Sequence, residues 1–234
     1  MRLYPRHDWT VTPAEAIALQ RRLKPELITR TPIDLARVRL VAGVDVSVKN
    51  ARSRAAIVVV ALPDFRHVET ATAEQATPFP YVPGLLSFRE GPVLEEALGK
   101  LTVAPDVFLF DGMGIAHPRR IGIASHMGLW LERPTIGCGK TLLCGDHDEV
   151  GPTRGSFAPL VDRGETIGVA LRTRANVAPI FVSPGHRTDL GSAIGLVLAC
   201  TPRWRLPEPI RMAHNAAGDF HPAVCELTSL PLSP

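Results

Sequence analysis

The sequence predicts an α/β fold in which helices flank a mixed five-stranded sheet, and three stretches carry that expectation. Residues 40–48 (LVAGVDVSV) and 55–62 (AAIVVVAL) are apolar and β-branched on either side of a turn at residues 50–53, the pattern of a buried hairpin. Residues 68–77 alternate more weakly, as an outer third strand does. In residues 105–140 an unbroken apolar run at 107–110 follows Pro105 and ends on Asp111. Ile121, Ala124, Met127, Leu129 and Leu131 then recur at near-helical spacing across residues 119–131, and Thr135-Ile136-Gly137 reads as another strand. That is a βαβ unit, and joined to the antiparallel hairpin it makes the sheet mixed. In open α/β sheets ligands collect beyond the carboxyl ends of the strands, where Asp111, His117, Arg119 and Lys140 are expected to cluster.

The remaining elements follow in chain order. Thr12-Pro13-Ala14-Glu15 has the form of a capping box with proline at the first helical position, and Ala16, Leu19, Leu23 and Leu27 give that helix an apolar stripe. Pro78, Pro80 and Pro83 stiffen the loop around Tyr81. Gly91-Pro92 predicts a helix start with Val93, Leu94, Ala97, Leu98 and Leu101 on one face, which puts Glu90 just ahead of it. Residues 159–172 read as a hairpin turning at Arg163-Gly164, and residues 180–182 as a short strand. Thr188 or Asp189 caps a helix bearing Leu190, Ile194, Leu196, Val197 and Leu198, and residues 207–217 suit another. The expected organisation is a single domain over residues 1–220 and a proline-rich, loosely held tail over residues 221–234.

Composition narrows the class without naming the chemistry. With 234 residues, 45% of them hydrophobic, the chain can bury a core without disulfide or metal staples. Its formal charge of +3 permits a nucleic-acid partner without requiring one. Only four of the 26 basic residues are lysines; the 22 arginines suit genome composition as well as they suit phosphate binding. Cys138, Cys144, Cys200 and Cys225 lack the paired spacing of a zinc site, and no signal peptide or membrane-length apolar run is present. A reducing cytoplasm and no membrane partner are expected.

Chemistry enters with the acids. An aspartate inside an apolar strand is costly unless paired, which makes Asp45 conspicuous, and Asp111 ends a second strand in the same way. Two carboxylates about 4 Å apart repel by about 4 kcal/mol at an effective dielectric of 20, so they share a proton or hold a cation. Glu90 adds a third acid. Such an oxygen-rich set favours magnesium, with manganese as a substitute, and suits phosphoryl transfer. His117 and Lys140 stand where they can neutralise a phosphate, although each alone is more often structural. The segment GCGKT matches part of a phosphate-binding P-loop, but Pro134 stands where the pattern needs glycine, so an NTPase is disfavoured.

Together these motifs resemble the endonuclease V family, deoxyinosine-specific repair nucleases with an RNase H-like fold. The resemblance rests on VAGVDVS (residues 41–47), PYVPGLLSFREGP (80–92), PDVFLFDGMGIAHPRRIGIASHMG (105–128), PTIGCGKTLLCG (134–145) and VSPGHR (182–187). It implies Asp45, Glu90 and Asp111 as magnesium ligands, with His214 close to the metal and His117 and Lys140 assisting at the phosphate. It makes Pro80, Tyr81, Val82 and Pro83 a wedge that enters the duplex, where an aromatic held between prolines can replace the stacking of an extruded base. It builds the base pocket from Gly84, Leu85, Leu86, Gly112, Ile123 and Leu143. The chain departs from the family pattern at Val48, Met113 and Gly139, none of them an expected metal ligand.

The function this implies is a magnesium-dependent DNA repair endonuclease that recognises deoxyinosine and hydrolyses a phosphodiester on its 3′ side, acting as a monomer. Two rivals stand beside it: an inosine-specific endoribonuclease, and a module that binds inosine or branched DNA without cutting.

Overall fold

The computed structural model describes residues 1–219; the proline-rich tail expected over residues 221–234 lies outside them. The first helix, α1 (Pro13–Leu23), carries the anticipated capping box, with Thr12 and Glu15 bonding reciprocally. Next come β1 (Leu40–Lys49), β2 (Arg52–Ala61), β3 (Arg66–Ala76), α2 (Leu86–Gly99), β4 (Val107–Phe110), α3 (Ile123–Leu131) and β5 (Thr135–Gly139). The chain then adds β6 (Phe157–Asp162), β7 (Glu165–Leu171), β8 (Ile180–His186), α4 (Leu190–Ala199) and α5 (Glu208–Gly218).

The α/β class is as expected, but the sheet has eight strands rather than five, in the order β3-β2-β1-β4-β5-β8-β7-β6. β8 pairs antiparallel with β5, from Thr135↔His186 to Gly139↔Phe181, and this leaves the β6–β7 hairpin no place but the end of the same sheet. Arg163 and Gly164 turn that hairpin with positive φ at both positions, the primed geometry that matches strand twist.

Two helix starts also differ from expectation. α2 begins at Leu86 and keeps Pro92 inside, so Glu90 lies on the helix rather than ahead of it. An interior proline costs about 3 kcal/mol. The extra turn offsets this by burying Leu85 and Phe88 with Phe79 and Ala16, at about 1.5–3 kcal/mol for each large apolar side chain. α3 begins at Ile123 because residues 117–120 form a turn, closed by the Arg120 amide on the His117 carbonyl, with Arg120 in the left-handed region. Arg120 is held there by ion pairs to Asp162 and Glu165.

Period-two alternation gives the sheet two apolar faces. Ala42, Val44, Phe108 and Phe110 meet α2 and α3, while Val41, Val107, Leu109 and Ile136 meet α4 and α5. Gly43 sets the second layer's distance from the sheet, because a Cβ there would fall 2.0 Å from the Pro209 carbonyl oxygen. α5 therefore rests directly on the β1 backbone. The same alternation turns Asp45 toward α5.

Candidate active site

Parallel pairing of β1 with β4 runs from Val41↔Val107 to Val44↔Phe110, and the Asp111 amide continues it by donating to the Val44 carbonyl (2.9 Å). Asp45 and Asp111 thus stand side by side at one end of the sheet, their side chains only 12% and 11% exposed. Asp45 Oδ1 accepts the Val46 amide at 2.9 Å, and Oδ2 lies 2.6 Å from His214 Nδ1 on α5. Lys140, just past β5, places Nζ 2.5 Å from Asp111 Oδ2. Burial, and then the charge of Asp111, raises the Asp45 carboxyl above its ordinary pKa.

Asp45, Asp111 and His214 each offer one ligand atom within 4.8 Å of the others. Glu90, half-buried on α2, is not in that trio, yet it feels it: burial, followed by the charges of Asp45 and Asp111, pushes its carboxyl up to about 8. Asp45 and Glu90, both raised beside Asp111, with Lys140 as the cation in direct contact with Asp111, form a donor set that a divalent cation would relieve. Two carboxylates and one imidazole fit such an ion.

Beside this cleft lies a cavity of about 320 Å³, at the lower end of the range for small-molecule sites. Gly84, Leu86, Gly112, Ile123 and Leu143 line it, as do Tyr81, Val82 and Pro83, whereas Leu85 turns away into the Phe79–Phe88 cluster and Pro80 stays at the surface. Leu85 is thereby corrected from pocket to core: it precedes α2 and packs beneath it. Tyr81 is 72% exposed at the rim, with the Arg89 guanidinium 5.9 Å from its ring centroid. Asp111 and Lys140 belong to both the cavity wall and the acidic cleft, so whatever fills the cavity sits next to the carboxylates.

His117 also reaches the cavity, but it is buried and fully engaged. Its Nε2 bonds the Gly84 carbonyl (2.9 Å) and its Nδ1 accepts the Arg119 amide (3.1 Å). Burial above all lowers its pKa to about 4, so it is neutral near pH 7. Sequence reasoning missed Gln20, a fully buried residue of α1 that bonds Gly84 and Arg119, because nothing in a helical pattern marks one glutamine as inward-facing. Met113 and Gly139, two of the departures noted above, meet in the wall: a Cβ on Gly139 would fall 2.4 Å from Met113 Cε, so the larger side chain fits because its neighbour is glycine. No helix follows β5 before α4, which removes the P-loop reading.

Comparison with known proteins finds relatives over nearly the whole chain. Residues 21–215 match the family model for endonuclease V. Endonuclease V of Trichormus variabilis is 49% identical over 94% of this chain and 100% of its own length. The crystal structure of endonuclease V from Streptomyces avermitilis superposes with a TM-score of 0.86 at 42% identity, covering 90% of this chain and 93% of that one. Endonuclease V of Ciona intestinalis, in complex with a 24mer DNA containing an inosine followed by a ribo-adenosine, superposes with a TM-score of 0.76 at 30% identity, covering 88% of this chain and 95% of that one.

Proposed function

The chain belongs to the endonuclease V family and is a nuclease; from that premise we propose that it is a magnesium-dependent DNA repair endonuclease that recognises deoxyinosine and cuts a nearby phosphodiester on its 3′ side. The observation that carries the reading is the shared wall: Asp111 and Lys140 border both the base-sized cavity and the acidic cleft.

In this reading Asp45 and Asp111 hold the cation, with Glu90 and His214 beside them. The bound ion supplies Lewis-acid stabilisation of phosphate charge and lowers the pKa of water. Lys140 neutralises charge that develops on the phosphate. A water oxygen bonds to phosphorus, the bond to the 3′ oxygen breaks, and that oxygen takes up a proton, which leaves 3′-hydroxyl and 5′-phosphate ends. Tyr81, braced by Pro80 and Pro83, fills the gap in the stack while the hypoxanthine base occupies the cavity. Neutral His117 holds the cavity wall through the Gly84 carbonyl rather than touching the phosphate.

The enzyme is further proposed to act as a monomer in the cytoplasm. Cys138, Cys144 and Cys200 are free thiols, which fits a reducing compartment, and no described helix is long and apolar enough to cross a membrane. A second reading, an inosine-specific endoribonuclease, draws support from the ribo-adenosine that follows the inosine in the DNA held by the Ciona relative. One assay tests both: end-labelled duplexes with and without deoxyinosine, and an inosine-containing RNA, each with magnesium or with EDTA. Nicking confined to deoxyinosine DNA with magnesium supports the proposal. Preferential cutting of the RNA favours the second reading, and binding without cutting refutes both.

A further inference from the structure

The loop bearing Tyr81 has a base that is unusually well bonded. Val82-Pro83-Gly84-Leu85 forms a turn closed by the Leu85 amide on the Val82 carbonyl (2.9 Å), with Gly84 at φ +78°, the position that needs glycine in a type II turn. Three donors converge on the carbonyl of Gly84: Gln20 Nε2 at 3.0 Å, His117 Nε2 at 2.9 Å and Arg119 Nη2 at 2.7 Å. They are tied to one another, because Arg119 Nε donates to Gln20 Oε1 and the Arg119 amide donates to His117 Nδ1. Gln20 Nε2 also reaches the Ile121 carbonyl at 3.3 Å, so this fully buried amide uses both its donor and its acceptor.

A carbonyl oxygen has two lone pairs, and three donors saturate it. The space around it is equally constrained, since a Cβ on Gly84 would fall 2.7 Å from Arg119 Nη2. Gly84 lines the base cavity, and Tyr81 stands three residues before it at the rim. α1, the turn after β4 and the Tyr81 loop therefore meet at one atom. We infer that Gln20 and Arg119 are positioning residues that clamp the Gly84 carbonyl and so hold the Tyr81 loop at the separation from the cavity that selects the lesion base.

The kinetic part of this inference rests on the proposed deoxyinosine activity; the structural part does not. Gln20→Met keeps the helix and the volume while removing every bond of the amide. Arg119→Lys keeps the positive charge, and a half-buried surface position, but loses the fork that spans Gln20 and Gly84. The test measures two things on the whole protein. Without DNA, amide exchange at Leu85, whose N–H closes the turn on the Val82 carbonyl, should quicken at least about 10-fold in both variants, the loss of one or two net hydrogen bonds, while the amides of β1 and β4 keep their protection. On inosine duplex, KM should rise about 10-fold with kcat within about two-fold, and the preference over undamaged duplex should fall with it. Unchanged exchange at Leu85 would overturn the clamp, as would a loss confined to kcat. Wild-type selectivity in Arg119→Lys would mean that Arg119 serves only as a charge. If the wild-type enzyme shows no preference for inosine, the functional reading fails, and the exchange measurement still decides the clamp.

Discussion

The acidic cleft at the end of β1 and β4 concentrates charge, whereas the cavity beside it, behind Tyr81, is walled by glycines, apolar side chains and a neutral histidine everywhere but along the edge it shares with Asp111 and Lys140. Asp45, Glu90 and Asp111 stand together in a partly desolvated place, and burial first, then the neighbouring acids, raises the Asp45 and Glu90 carboxyls. Around the cavity the polar groups are satisfied: His117, Gln20 and Arg119 converge on one carbonyl. The first region is held in readiness for a cation, and the second is already complete without a ligand. Stored electrostatic strain suits chemistry on a phosphate, and a rigid neutral wall suits the discrimination of one base from another.

The contrast is broken most severely on the charged side. Asp45→Ala or Asp111→Asn should lower nicking of an inosine duplex by roughly 10³-fold or more, with the fold intact by circular dichroism. On the neutral side, Tyr81→Ala should weaken lesion binding by about 10-fold to 100-fold, since stacking on an aromatic is worth about 1–3 kcal/mol, while the rate at saturating DNA stays close to wild type. Comparable losses of maximal rate in both kinds of variant would erase the distinction.

A smaller effect sharpens it through pH. Burial pushes the Glu90 carboxyl in the folded protein up to about 8 from its ordinary 4.5, so its contribution is fully present below pH 4.5 and is lost as pH rises through 8. Glu90→Gln should accordingly stabilise the cation-free protein on the alkaline side, by about 1–2 kcal/mol once partial exposure is discounted, and leave it unchanged at pH 4. His117 runs the other way: its folded pKa of about 4 lies below 6.5, so its contribution is present above pH 6.5 and is lost as pH falls through 4. Thermal melts across pH 4–9, with EDTA present, measure both limbs. An alkaline limb that Glu90→Gln does not move would mean the cleft carries no electrostatic conflict.

These two regions also differ in how far the sequence reveals them. Asp45 is legible because an aspartate amid VAGV and VSV breaks an apolar strand, and Asp111 because an unbroken run ends on it. Their adjacency is conditional in the sequence, because the βαβ unit joins β4 only to β5; it is the structure that pairs β1 with β4. Glu90 was placed one turn wrong because Pro92 reads locally as a helix start, while burial of Leu85 and Phe88, a tertiary effect, extends the helix past it. The sheet's extra strands were each visible as strands, but antiparallel docking of β8 on β5 joins residues more than 40 positions apart, and periodicity carries no partner information. The clamp was least visible, since Gln20 and the Gly84 carbonyl leave no compositional mark. Charge out of place can be read from a sequence; a satisfied polar network cannot.

The most direct measurement of the central claim is calorimetric titration of Mg²⁺, and of Mn²⁺ as its substitute, into the DNA-free protein and into Asp111→Asn. The cleft should bind the ion saturably in the wild type and at least about 10-fold more weakly in the variant, as expected when one charged ligand is lost. Equal affinity in both proteins would contradict the assignment of Asp45 and Asp111 as a shared cation site.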